Sequence, residues 1–545
     1  MYSNDRYNTL MLSLLLIFIN INICLNKRST IRKLNFESKV KVTVSEIGEI
    51  SFINKDFPIK PNRILINNDN EVPSTTNSYS FTGTNNVIEL IWNEPLTNCS
   101  SMFYNCLYIS KVDFSSFDSS QCQSTSYMFF LNKKLEEINF QNFDTSSSED
   151  MAGMFWGCFE LTSIDLSQFN TNKVTSMEGM FNFCGKIQSL NLINFNTSLV
   201  TSMKWMFMNC TDLTYIDLSS FKTSQVKLMQ CMFKECHSLT SLDISNFETS
   251  KIKNFNSLFD GCWKLETLNL GNLDTHSSVH FKWTFRDCKK LTSLDLSNFD
   301  MTRVENTNDM FYGCENLEFI EFNNEIKMAN LVDTSFMFYN CAKLNKLDLS
   351  NFDTSKVTTM EKMFYNCIKL EILIMPNIYT TTLSKIDSIF SGCSNLKVLH
   401  IYFFLLTEYI DPDTLFQDIP QYMVYCLNDN IVNERIISNF ELKSSNNDCI
   451  YICNFLNWKI INGTYLCTKG CSSDSLYKYE YNNKCYSDCP KGTKVLNEET
   501  NICEDYIEET TIITTQIKYT TIIDTTTPTT QIKYTTILDT TIPTT

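Results

Sequence analysis

From residue 88 to residue 401 the hydrophobic positions fall into one recurring pattern, and its fullest copy reads CAKLNKLDLSNFDTSKVTTMEKMFYNC, Cys341 to Cys367. Leu347 and Leu349 alternate with Lys346, Asp348 and Ser350, the period-2 signature of a half-buried strand. Phe352, Val357, Met360, Met363, Phe364 and Cys367 follow as an apolar series without helical regularity, so this part of the unit returns irregularly and fills the interior. Segments related to MFYNC recur every 26 residues from Met102 to Ile389; the interval from Met310 to Met337 is 27, its extra residue lying within NNEIKMANLVDTS. One unit of this size cannot bury its own apolar surface, but a stack of neighbours can. The pattern predicts a repeat solenoid of about twelve coils, with one strand per coil in a parallel sheet and a mostly irregular opposite side. At ~4.8 Å per strand, the array would extend roughly 55–60 Å.

Two columns run through the array. Four residues after each segment start comes Cys106, Cys158, Cys184, Cys210, Cys236, Cys262, Cys288, Cys314, Cys341, Cys367 or Cys393, with Asn132 the exception. Adjacent strands are close enough for disulfides, but side chains in a ladder run parallel and eleven members cannot all pair, so the column is expected to be reduced and packed. Cys99 and Cys122, at positions that are Met or Val in other copies, are expected to follow suit, and Cys231 lies outside the pattern. The second column comprises Asp113, Asn139, Asp165, Asn191, Asp217, Asp243, Asn269, Asp295, Glu321 and Asp348, between inward-facing residues and hence on the concave sheet face. Such a strip suits a basic partner, a divalent cation or a polyhydroxyl ligand, or it is simply a solvated face. Tyr215, Phe319 and Ile372 interrupt it and are the sharper candidates for specific contacts. Charge reversal at Asp217, Asp243 and Asp295 is expected to leave folding nearly intact, as for exposed sites generally.

The core string L-x-x-L-x-L-x-x-F matches the leucine-rich-repeat strand pattern, with Phe where many such repeats carry Asn. The longer string L-D-L-S-x-F-x-T-S-x-V-x-x-M-x-x-M-F-x-x-C resembles the BspA-like leucine-rich-repeat surface proteins over roughly Ile88 to Ile401. That resemblance implies a cell-surface protein used for adhesion or ligand binding, without naming the ligand.

The flanks read as separate domains. Residues 1–25 contain the apolar run LMLSLLLIFININICL, a signal peptide or uncleaved signal anchor. Residues 26–87 carry strand-like runs such as KVKVTVSEI and RILIN, a β-rich N-terminal cap over the first coil. Residues 402–448 are expected to cap the other end. In residues 449–505, Cys449, Cys453, Cys467, Cys471, Cys485, Cys489 and Cys503 alternate between three and thirteen intervening residues; short polar loops without an apolar series predict a disulfide module rather than a zinc site. Phrases such as YNNKCYSDCPKGT resemble the furin-like cysteine-rich modules of eukaryotic surface receptors. Residues 506–545, with 17 Thr and a 15-residue period, read as a stalk; either the chain is released or it is a fragment lacking a C-terminal membrane anchor. Sequons at Asn98, Asn196, Asn209 and Asn462 fit a secreted glycoprotein.

Composition narrows the function. Forty-five Lys and Arg against 61 Asp and Glu, a net charge of −16, oppose a nucleic-acid-binding surface. Four His, no G-x-S-x-G, no HExxH and no glycine-rich phosphate loop leave no catalytic motif, and no metal or cofactor is implied. His276 and His280 read as a coil-specific surface variation. The expectation is a non-enzymatic extracellular protein that binds a protein or glycan on a cell or matrix surface through its concave face, with the membrane involved only through a signal anchor or a missing C-terminal anchor. A structural surface-coat component and a soluble decoy or inhibitor are the alternatives.

Overall fold

A computed structural model describes residues 36–68, 70–323, 327–375 and 382–400, together with short strands beyond them. The signal segment, most of residues 402–448, the seven cysteine side chains of the module, Asn462 and the Thr-rich segment lie outside the described residues. The chain divides into two compact units, Met1–Ile452 and Cys453–Thr545.

In the first unit, β1 (Ser38–Val44), β2 (Gly48–Ser51), β3 (Arg63–Ile66), β4 (Asn70–Val72), β5 (Ser78–Phe81) and β6 (Asn86–Trp92) form the N-terminal cap. Strict alternation in SKVKVTV buries Val40, Val42 and Val44 on one face. β1 lies antiparallel between β6 and the first array strand, β7 (Ile109–Ser116), which is in turn parallel to β8 (Glu137–Asn139). The cap therefore passes directly into the sheet of the array and covers its first coil. The junction falls later than position 88, because Ile88, Leu90 and Trp92 are buried in the cap strand β6.

The strands that follow are short and in 26-residue register, with one step of 27 between β14 and β15: β9 (Ser189–Leu190), β10 (Tyr215–Ile216), β11 (Ser241–Asp243), β12 (Thr267–Asn269), β13 (Ser293–Leu296), β14 (Phe319–Phe322), β15 (Lys346–Asp348), β16 (Ile372–Ile374) and β17 (Val398–His400). Leu242 pairs with Leu268 and Leu294 with Ile320, all in parallel. β18 (Val424–Cys426) pairs parallel to β17, Val398 opposite Val424, so the 26-residue register runs on past residue 401. The fold is a leucine-rich-repeat-like solenoid, and among the described residues its only helical turn is a 3₁₀ turn at Thr354–Lys356.

Two further ladders close each coil. Isolated parallel bridges link Ser124, Asp150, Ser176, Ser202 and Leu228 in succession. At the Met-Phe segment, N–H groups at alternate positions reach the next coil: Gly153 to Glu178 O, Phe155 to Met180 O and Gly157 to Asn182 O, at 2.7–2.9 Å. Presenting those donors requires left-handed backbone twice per coil. Gly153 and Gly157 adopt it at φ 58° and 76°, while Tyr127 and Leu131, one coil earlier, adopt it at φ 55° and 59° against the L-residue preference. A Cβ on Gly153 would lie 2.5 Å from the Tyr127 ring and one on Gly157 2.7 Å from Leu131 Cδ2, so a side chain at either position would force its neighbour to shift.

Inside, the Met-Phe phenylalanines stack one above another, Phe155 on Phe181 at 5.5 Å and Phe181 on Phe207 at 5.8 Å, all fully buried. Beside them the eleven ladder cysteines are buried and free. From Cys158 onward each thiol donates to the carbonyl of the phenylalanine one coil back, as Cys184 does to Phe155 O at 3.1 Å and Cys236 to Phe207 O at 3.1 Å. Asn132, the exception in the column, donates its Nδ2 to Phe103 O at 2.8 Å. The position requires a small side chain with a donor aimed at that carbonyl, and Cys supplies it with little polar surface to bury. Burial pushes the thiols far above their ordinary range. Cys99 and Cys122 depart from the expected reduced packing: they form a disulfide between neighbouring segments of the first coils, with Cα atoms 5.7 Å apart. Denatured, unreduced protein is therefore expected to titrate the ladder thiols and Cys231 but not Cys99 or Cys122, and the native protein to react slowly, with half-buried Cys231 first. A near-zero thiol count after denaturation would show that the ladder is oxidised.

The second unit contains β19 (Lys459–Ile461), β20 (Cys467–Thr468), β21 (Tyr479–Tyr481), β22 (Lys484–Tyr486), β23 (Thr493–Asn497) and β24 (Ile502–Asp505) in one sheet. Successive antiparallel pairs join through the parallel pairings β19–β22 and β21–β24. Cys467, Cys485 and Cys503, 18 residues apart, fall on β20, β22 and β24.

Candidate binding face

Alternation in each coil turns Ile216, Leu242 and Leu294 inward and leaves Tyr215, Asp217, Asp243 and Asp295 on the outer strand face, with Ser241, Thr267 and Ser293 in the same column as Tyr215. An open concavity of about 600 Å³ lies over β10 to β12, lined by Tyr215, Asp217, Ser219, Asp243, Asn246 and Asn269 among others. Tyr215 is 58% exposed and Phe319 52%. They occupy the same column four coils apart, roughly 19 Å at ~4.8 Å per strand. Ile372 stands in the same column, but its strand is buried throughout, so it is no contact candidate.

The polar column has a local cause that charge reasoning misses. Oδ1 of Asp113, Asp165, Asp217, Asp243, Asp295 and Asp348 accepts the backbone N–H of the serine two residues on, at 2.9 Å in every case. Asn139, Asn191 and Asn269 make the same bond to Gln141, Ile193 and Gly271 at 3.0–3.3 Å. The position thus demands a short side chain whose oxygen closes a turn at the strand end, which Asp and Asn satisfy equally; Glu321 is the longer departure. Asn139 and Asn269 also reach back one coil to Asp113 and Asp243. Serine N–H and hydroxyl groups hold the carboxyls below the ordinary Asp range, the N–H foremost at Asp165 and Asp217 and the hydroxyl at Asp243 and Asp295. Because the folded values are lowered, this contribution to stability is present above the ordinary Asp pKa of about 3.9 and is lost as pH falls through the folded values.

That geometry corrects the expectation for charge reversal. Asp217→Lys removes the acceptor as well as the charge and should lose about 0.5–1.5 kcal/mol. Asp217→Asn keeps the turn and should stay within ~0.5 kcal/mol of the parent. Urea unfolding of the two variants separates the effects; equal midpoints would show that the turn bond is dispensable.

From Thr162 to Asn323, the outward strand positions and their flanking residues include Asp165, Asp217, Asp243, Glu266, Asp295, Glu318 and Glu321 but no Lys, Arg or His. Asp165, Asp217, Asp243 and Asp295 make no ion pair with any described residue, whereas elsewhere lysines pair along the axis: Lys289 with Glu315 at 3.3 Å, Lys397 with Glu371 at 2.8 Å and Lys234 with Asp260. No group of three or more His, Cys, Asp or Glu among the described residues is arranged to hold a metal ion. His276 bonds Asp274, and His280 belongs to the bridge ladder between Asn254 and Asn306, so the two do not form one site. Of the sequons, Asn98 is exposed; Asn196 is half-buried with Nδ2 on Asn172 at 2.7 Å, and Asn209 is half-buried in left-handed backbone. Beside the buried Met-Phe pairs, outward rings also stack from coil to coil, Tyr312 on Tyr339 at 4.6 Å and Tyr339 on Tyr365 at 4.9 Å. The tyrosine of MFYN signals this stack in the sequence, but as a single residue beside the dominant Met-Phe motif it gives no direction of its own.

These features define a leucine-rich-repeat-like solenoid with a polar, partly aromatic strand face. The family model described as "Mycoplasma protein of unknown function, DUF285" matches residues 77–190, 158–242, 183–291, 236–330 and 279–402, more than half of the chain, and the chain belongs to that family. Among solved structures, a leucine-rich repeat protein from Bacteroides ovatus is similar at 16% identity and a TM-score of 0.33, over 64% of this chain and 90% of that one. The functional domain of InlJ from Listeria monocytogenes, described as including a cysteine ladder, is similar at 14% identity and a TM-score of 0.16, over 59% and 71% of the two chains. No curated protein matches the chain. Among the described residues, no helix is long and apolar enough to cross a membrane.

Proposed function

We propose that this protein is a non-enzymatic adhesion or ligand-binding protein of the extracellular space or cell surface, which holds a protein or glycan partner on the concave strand face. The observation that carries this reading is the exposure of Tyr215 beside a polar concavity, since a large ring standing in water on a rigid sheet among short polar side chains is a natural anchor for a partner. The resemblance of the repeats to BspA-like surface proteins supports the same reading, as do the N-terminal apolar run and the cysteine-rich segment. The purified chain, applied to cells and to matrix- or glycan-coated surfaces, tests it. Tyr215→Ser with Phe319→Ser should leave folding unchanged and lower retention at least about fivefold, the loss of a contact worth ~1 kcal/mol or more. Retention unchanged in the folded double variant would favour a structural coat component, whose role needs array length but no concave contact.

A further inference from the structure

We propose that the strand face from β10 to β14 takes an extended peptide segment bearing Lys or Arg, laid along the solenoid axis between Tyr215 and Phe319. The inference rests on the concave-face reading above and adds the chemistry of the ligand. Three observations carry it. First, the outward strand positions hold carboxylates and no cation over seven successive coils, the exposed Lys264 and Lys290 standing ahead of β12 and β13, while other lysines such as Lys289 and Lys397 pair with acids one coil away, so the strand face keeps a negative potential for a partner to neutralise. Second, the turn bonds occupy Oδ1 of Asp217, Asp243 and Asp295 and the hydroxyls of Ser219, Ser245 and Ser297 add to them, which fixes each exposed carboxylate in place; the second oxygen of Asp243 also takes Asn269 Nδ2 at 3.0 Å. Third, Tyr215 and Phe319 stand at the ends of a floor made of Ser241, Thr267 and Ser293, short side chains that let a main chain approach closely. The roughly 19 Å between them accommodates about six extended residues at ~3.3 Å each, and either ring can receive a cationic side chain on its face. A divalent ion fits less well, because the carboxylates are strung along the axis instead of converging. A neutral glycan would leave the carboxylates uncompensated.

The test uses the full chain and three fluorescent probes: the octapeptide Ser-Lys repeated four times, its Ser-Glu counterpart, and a neutral β-linked hexaose. Fluorescence polarisation is read at low and at physiological salt. The Lys peptide should bind and the Glu peptide should not, with affinity falling about tenfold or more as salt rises. The triple variant D217N/D243N/D295N keeps the turns and should weaken binding at least about tenfold while flattening the salt dependence. Tyr215→Ser should weaken it about two- to fivefold with the salt dependence kept, the size of an exposed cation–π contact. Neutralising the exposed acids Glu149, Glu248 and Glu305 to Gln, an equal change in net charge off this face, should leave binding unchanged. Equal weakening by the two triple variants would reduce the effect to net charge and overturn the site. Binding of the hexaose in place of the Lys peptide, lost in Tyr215→Ser, would overturn the cationic ligand and leave the concave-face reading standing. No probe binding together with surface retention indifferent to Tyr215→Ser and Phe319→Ser would overturn both.

Discussion

Phe338→Ala is expected to destabilise the array by about 3–5 kcal/mol, the usual loss for a buried aromatic truncated to alanine. Phe338 is fully buried and stacks on Phe311 at 5.3 Å and on Phe364 at 5.6 Å, so its removal opens a void against two neighbouring coils. Its N–H and C=O also lie in the ladder, the N–H donating to Met363 O and the C=O accepting from Cys367 Sγ at 3.1 Å, and relaxation of the coil would loosen both. In a solenoid, stability is summed over nearest-neighbour interfaces, so damage here weakens the adjoining coils before the N-terminal ones. Urea unfolding, with hydrogen exchange resolved by segment, should show a lower midpoint and early opening around residues 310–370. A loss below ~1 kcal/mol, or uniform loosening of the whole array, would contradict the column-packing account.

Thr223→Val should cost about 1–3 kcal/mol although it conserves shape and only exchanges a hydroxyl for a methyl, because the N–H and C=O of Glu248 lose their partner at once. Thr223 Oγ1 donates to Glu248 O at 3.0 Å and accepts from Glu248 N–H at 2.7 Å, clamping the next coil from a fully buried position. Thr171 and Thr197 hold Asn196 and Lys222 in the same way. The array offers its own comparison. Met301 stands where the clamp threonine is due, and the coil after it contains the extra residue of the 27-residue interval, so loss of the clamp and loss of strict register occur together. Thr223→Ser, which restores donor and acceptor, should recover most of the stability in the same unfolding experiment. A Val variant as stable as the Ser variant would show that the clamp is incidental.

Much of this architecture is legible in the chain because stacking converts sequence period into spatial neighbourhood. Residues 26 apart become vertical neighbours, so the inward turn of Leu242, Leu268 and Leu294, the phenylalanine stack and the cysteine column can all be read from spacing alone. The strands ahead of the array were legible for a different reason: SKVKVTV alternates and NVIELIW runs apolar, both as strands do. The position of Asn132 as the one non-cysteine was visible too. Its meaning was not, since it depends on where Phe103 O lies.

By itself the sequence determined the 26-residue coil, the parallel sheet, the inward and outward faces and the exposed places of Tyr215 and Phe319, because these follow from side-chain periodicity. Only the tertiary structure decided which atoms meet. Cys184 donates to Phe155 O across 29 residues, and Thr223 clamps Glu248 across 25. Neither separation is the repeat length, since both depend on how the backbone rises between coils. Tertiary structure likewise paired Cys99 with Cys122, where repeat position suggested packed thiols, and buried Ile372, where strip position suggested exposure. It also showed that Asp217 and its column mates serve their own turns with one oxygen before any partner is considered, because an Asp side chain reaches the N–H two residues on wherever the strand ends in a bend.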